Sequence, residues 1–135
     1  MRDPVSRHWS QLKYQQIRGK IQDANAELEK SFESKVLEER TRYDKTIREL
    51  EKVFEKSQLY YGFYEKLFTQ QSVNEIQTFL GLPDQTATFD QVINRSVKSK
   101  SITEASTRRL RNHYADVYEF CAARFGASLP VEWQV

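Results

Sequence analysis

The sequence predicts an α/β chain that is mostly helical, with one clear strand near residues 57–64. Three observations carry this. Asp3-Pro4 is a strong helix start, because a carboxylate caps free N–H groups and proline fits the first helical position. Tyr43, Ile47, Leu50 and Phe54 recur at i, i+4, i+7 and i+11, the stripe of an amphipathic helix. Leu59 to Tyr64, reading LYYGFY, is a short apolar run of strand length, interrupted only by Gly62.

Taken in order, the first helix is expected over roughly 4–20, with Trp9, Leu12, Gln16 and Ile17 continuing one face. Residues 21–34 are polar and lack a period, which fits either a helix or an excursion. A helix over 35–54 carries the stripe above. The apolarity of 59–64 suggests a strand covered on both faces, as in a parallel sheet sandwiched by helices. A lone strand cannot satisfy its own backbone groups, so its neighbours must come from elsewhere. Ser72-Val73-Asn74-Glu75 has the form of a capping box, followed by a helix burying Val73, Ile76, Phe79 and Leu80. Gly81 ends that helix and Pro83 prevents its continuation. Residues 83–103 read as an extended loop touching the body through Phe89, Val92 and Ile93. A last helix runs from about Thr103 to Arg124 with Leu110, Tyr114, Val117, Tyr118 and Cys121 inward, before Gly126 and a docked LPVEW tail.

Composition bounds the rest. At 135 residues the chain is one domain at most, and 39% hydrophobic against 30% charged residues implies a thin core. A net charge of +2 does not call for nucleic acid, and the acid–base alternation through 27–56 reads as a solvated helical face. The basic residues Arg7, Lys13, Arg18 and Lys20 match no nucleic-acid-reading motif. A single cysteine, Cys121, makes a reducing, cytoplasmic location the expectation. No apolar run is long enough for a membrane span, and the start has no signal-peptide core.

The opening RDPVSRHWS holds the chemistry. A helix N-terminus favours an anion through its free N–H groups and partial positive charge. Arg2 lies just before that terminus, and Arg7 and Ser10, three residues apart, project from neighbouring positions on one face. A guanidinium fork suits phosphate oxygens and a hydroxyl adds a neutral donor. Residue geometry alone leaves two readings open, an arginine-rich helix start and a phosphate site.

These residues also carry a resemblance. Arg2-Asp3-Pro4-Val5-Ser6-Arg7-His8-Trp9-Ser10 resembles the 3′-phosphate-binding motif of the PAPS-dependent sulfotransferases (PAPS is 3′-phosphoadenylyl sulfate): an Arg, an Asn or Asp, Pro, a further Arg in many members, and a Ser eight residues after the first Arg. Leu59 to Glu65 resembles the family's late strand ending in Tyr-Glu. Phe79-Leu80-Gly81-Leu82-Pro83 resembles the helix end that follows it. Leu110, His113, Tyr114, Leu129-Pro130 and Trp133 resemble the final helix and tail. The resemblance spans nearly all 135 residues but only the C-terminal half of the family's P-loop-like domain, as though the chain began in mid-domain.

The resemblance implies that Arg2 and Ser10 bind the 3′-phosphate of the PAPS or PAP nucleotide, that Arg7 braces or assists, and that Tyr64 lies near the adenine. Lys98 and Lys100 are candidates for the family's late basic loop, with a poor match. Lys66 stands where many members have Asp. The phosphate-cradling Gly-Lys-Thr/Ser loop and the catalytic base have no counterpart among these residues, so no catalytic residue is assigned and the chain alone is expected to be inactive. His8 and His113 are expected to be exposed or partly packed imidazoles. No metal is implied. The acceptor is a hydroxyl or amine, with carbohydrate the leading expectation. The alternative is a non-catalytic helical interaction module, for which a sustained heptad is lacking.

Overall fold

A computed structural model describes residues 1–32, 34–90 and 101–134. Among the described residues the chain forms α1 (Pro4–Ile17), α2 (Leu28–Ser31), α3 (Lys35–Glu39), α4 (Tyr43–Val53), α5 (Tyr64–Leu67), α6 (Gln70–Leu80), α7 (Glu104–His113) and α8 (Ala115–Phe125). Val92, Ile93, Lys98 and Lys100 lie outside them.

The helix start at Asp3-Pro4 is as expected: Pro4 opens α1 and the Asp3 carboxylate accepts the Ser6 N–H at 2.8 Å. α1 packs on α7 and α4 on α8, so the core sits between these pairs. Leu12, Leu110, Tyr114, Val117 and Cys121 are at most 1% exposed, which fits the inward face expected of the final helix. That helix is two, however. At Tyr114 the backbone leaves the helical region (φ −105°, ψ 19°), ending α7 and starting α8. Both halves keep the same inward stripe, so the periodicity does not register the break.

The expected strand at 57–64 is not formed. No strand occurs among the described residues; a 3₁₀ turn covers Lys56–Gln58 and α5 already starts at Tyr64. The segment between is extended, with Leu59 at φ −117°, ψ 124° and Phe63 at φ −107°, ψ 129°. A strand is defined by its ladder, and here there is one rung. The Met1 amino group donates to the Gly62 carbonyl, and the Tyr64 N–H donates to the Met1 carbonyl at 2.6 Å. That reciprocal pair has the register of a single parallel bridge between Met1 and Phe63. Phe63 is held edge-on by Phe125 and Trp133, with ring centroids 5.3 and 5.5 Å away.

Three further expectations are corrected. Ile17 is 57% exposed, because the chain turns away after it through Gly19. The cap of α6 is Thr69, whose side chain accepts the Ser72 N–H, while the Ser72 hydroxyl donates to the Lys66 carbonyl at 2.6 Å. Glu75 is engaged with Tyr60 and Gln71 and so forms no box. Phe79 and Leu80 lie exposed rather than buried, at 40% and 58%. Gly81 does end α6, in the left-handed conformation (φ 66°).

Gly126 closes α8 at φ 51°, ψ −125°, a region that side-chain-bearing residues rarely adopt. It turns the chain so that Leu129 and Trp133 dock, at 5% and 2% exposed. Gly126→Ala meets open space, so its cost is backbone strain alone, about 2 kcal/mol. A urea melt should show that loss with an unchanged m-value.

Candidate functional site

The Arg2-Asp3-Pro4 turn is fixed from three directions. The second Asp3 oxygen accepts the Tyr118 hydroxyl from α8 at 2.5 Å, and the Val5 N–H reaches the same hydroxyl at 3.4 Å. The Asp3 N–H donates to Glu65 at 2.8 Å, and the other Glu65 oxygen accepts the Trp133 indole N–H at 3.2 Å. The carboxylate of Tyr64-Glu65 is thus a structural clasp between the helix start and the tail. The Arg2 N–H donates to the Tyr43 hydroxyl at 3.3 Å, and burial pushes that phenol's pKa up.

Beside this turn opens a pocket of about 490 Å³, lined by Arg2, Arg7, Arg40, Tyr43 and Tyr64, with Met1, Gly62, Phe63 and Leu67 completing its wall. The Arg2 guanidinium carbon lies 4.7 Å from the Tyr64 ring centroid, a cation–π stack that steers the guanidinium. Among the described residues, none of the three lining arginines forms an ion pair with a carboxylate. Arg42 shows the opposite arrangement, held by Asp44 at 2.8 Å and Asp116 at 2.5 Å. α1 has no acidic residue in its first turn. The three guanidiniums thus share one pocket without an ion pair, while the N-terminus of α1 beside them is already engaged by the Asp3 and Glu65 carboxylates.

The expected site residues divide. Arg2, Arg7 and Tyr64 meet in this pocket. Ser10 is half-buried on α1 and does not line it. Arg40 and Tyr43 were not foreseen; Tyr43 reads as core from its stripe, and Arg40 as one charge in a solvated run. No local spacing links residue 40 to residue 2. A larger groove of about 800 Å³ follows α3 and α4, but its lining mixes Lys35, Arg42 and Lys45 with Glu38, Glu39 and Glu49, so it presents no single sign of charge.

His8 corrects another expectation. It is buried, 1% exposed, between Tyr114 (Nδ1 to hydroxyl 2.8 Å) and Ser31 (Nε2 to hydroxyl 2.7 Å). The Ser31 proton goes to the Leu28 carbonyl, so Ser31 can only accept from His8. Nε2 therefore carries the imidazole proton and Nδ1 accepts from Tyr114. His113 is partly packed, against Phe32 and Tyr114, as expected. Cys121 is fully buried, and that burial pushes its thiol up to about 12. Among the described residues no His, Cys, Asp and Glu group is arranged to hold a metal ion, and no helix is long and apolar enough to cross a membrane.

The family model for the sulfotransferase domain matches residues 1–119. The chain belongs to the sulfotransferase domain family. No curated protein and no solved structure matches it. The match includes the turn at Arg2-Asp3-Pro4 and all five side chains that define the three-arginine pocket of this sulfotransferase chain.

Proposed function

We propose that this chain supplies the 3′-phosphate side of a sulfotransferase that transfers a sulfuryl group from PAPS to a hydroxyl or amine. The observation that supports this most is the convergence of Arg2, Arg7 and Tyr64 on one pocket whose cations lack carboxylate partners. Those groups suit the donor: a terminal phosphate needs several cationic donors, and an adenine needs an aromatic or guanidinium face. Bound PAPS supplies the sulfuryl group and leaves as 3′,5′-adenosine bisphosphate.

In this proposal Arg2 and Arg7 hold the phosphate oxygens, and Tyr64, stacked on Arg2, offers a face to the base. Ser10 is assigned as a neutral donor to the same phosphate on the motif's spacing alone. The 5′-phosphosulfate loop and the base that deprotonates the acceptor are assigned to a segment outside these 135 residues. That segment would also add strands beside Leu59–Phe63 to complete a P-loop-like α/β domain, with this chain as its C-terminal part. The single parallel bridge at Met1 and Phe63 is in keeping with that. The acceptor is a hydroxyl or amine, with carbohydrate the leading expectation.

Calorimetric titration of the chain with 3′,5′-adenosine bisphosphate and with 5′-AMP tests this. The bisphosphate should bind tighter. Arg2→Ala should weaken it about tenfold or more, since a charged hydrogen bond contributes ~1.5–3 kcal/mol. Equal binding of the two nucleotides, or an indifferent Arg2→Ala, would refute the assignment. A second reading, a non-catalytic interaction module, draws on the exposed Phe68, Phe79 and Leu80. It requires a defined oligomer without nucleotide affinity, which light scattering would detect.

A further inference from the structure

We propose that Arg40 is a specificity-determining residue of this pocket: a third guanidinium that makes it select a doubly charged phosphomonoester. This rests on the nucleotide-binding role proposed above and names a group outside the opening motif.

Arg40 comes from a different part of the chain than Arg2 and Arg7. It caps the C-terminal end of α3, between Leu37 and Thr41, which are 4% and 1% exposed. The Thr41 hydroxyl donates to the Leu37 carbonyl at 3.0 Å, so the backbone that carries Arg40 is anchored on both sides. Its Nη1 donates to Gln11 Oε1 at 3.3 Å. Gln11 lies four residues after Arg7 on α1, on the same face. Arg40 and Arg7 thus meet at the same pocket, which Arg2 also lines.

Like charges brought together repel, and a fold normally relieves this with a carboxylate, as it does for Arg42. At Arg40 the only hydrogen-bond partner among the described residues is a neutral amide. A neutral partner orients a guanidinium without spending its charge. Solvent screens such exposed charges, and an anion carrying more than one charge can pair with several of them at once. A phosphomonoester gains its second charge with a pKa of about 6, whereas a sulfate ester or a carboxylate carries one at most. The third arginine accordingly favours a terminal phosphate in its dianionic form over singly charged groups of similar size.

The test measures 3′,5′-adenosine bisphosphate binding by calorimetry between pH 5 and 7.5. Wild type should tighten across the phosphate's second ionisation. Arg40→Gln, an exposed substitution that leaves the fold intact by circular dichroism, should bind about tenfold weaker at pH 7.5 and lose most of that pH dependence. Arg40→Lys should recover part of both. If Arg40→Gln keeps wild-type affinity and pH profile while Arg2→Ala weakens binding, the inference about Arg40 is wrong and the nucleotide site stands. If wild type binds neither this nucleotide nor 5′-AMP, the site itself is wrong and Arg40 falls with it.

Discussion

Asp3→Ala should destabilise the chain by about 3 kcal/mol, because one carboxylate carries two separate duties. One oxygen caps α1 through the Ser6 N–H at 2.8 Å; the other accepts the buried Tyr118 hydroxyl at 2.5 Å. Losing an N-cap typically costs about 1 kcal/mol, and losing a hydrogen bond to a charged group about 1.5–3 kcal/mol. The Tyr118 phenol, whose pKa is driven upward by burial and then by Asp3, stays protonated and would be left without its acceptor. Asp3→Asn keeps the size and one oxygen, so it should cost about half as much. Tyr118→Phe removes the other partner, and the double variant should be less destabilised than the two singles combined, by 1 kcal/mol or more on the order of a direct contact. Urea melts of the four proteins measure this. Additive effects would mean that the Asp3–Tyr118 contact carries no energy. The functional consequence follows from position: Arg2 adjoins Asp3, so nucleotide affinity should fall in Asp3→Ala even where the protein remains folded.

The parts of this structure that are legible in the sequence are those decided by neighbours in the chain. The Asp3-Pro4 start, the Gly81 and Gly126 stops, and the Leu110–Cys121 stripe all follow from capping chemistry, left-handed glycine or helical period, and the structure contains each of them. What failed depended on partners. LYYGFY has strand composition and an extended backbone, yet with one bridge to Met1 it has no ladder. Phe79 and Leu80 occupy the apolar face of α6, but a stripe records capacity for burial, and although the Tyr60 ring lies 5.6 Å from that of Phe79, both side chains stay exposed. Thr69 rather than Ser72 takes the cap because the backbone is extended at Thr69 (φ −136°, ψ 150°), while Ser72 already lies inside α6. Half the site was legible, because Arg2 and Arg7 share a turn of sequence with the helix start. Arg40 and Tyr43 reach the pocket from α3 and α4, and Ser10 is not among its lining residues.

His8 makes the fold sensitive to acid, and the sign can be worked out from its surroundings. Its pKa is lowered from 6.5 to about 4, first by burial and second by the nearby His113. The neutral imidazole is the form that the fold accommodates: Nε2–H donates to Ser31, and Nδ1 accepts from Tyr114, whose own pKa burial pushes up to about 12. A second ring proton would take away the acceptor of the Tyr114 hydroxyl. Above pH 6.5 both folded and unfolded chains carry neutral His8, and this contribution to stability is fully present. Between 6.5 and about 4 the unfolded chain binds a proton that the folded chain refuses, so stability falls as the pH falls, by up to about 1.4 kcal/mol per unit. Across the whole window of 6.5 to about 4 the loss is about 3 kcal/mol. Carboxylates also titrate near the lower end, so the comparison is with His8→Gln, which places a neutral amide between Tyr114 and Ser31. That variant should start less stable at pH 7.5 and lose less between pH 6.5 and 4.5, so the two stability curves converge in acid. Parallel curves from denaturant melts at several pH values would show that His8 is protonated as readily in the folded chain as in the unfolded one, and that the buried Tyr114–His8–Ser31 chain does not hold it neutral.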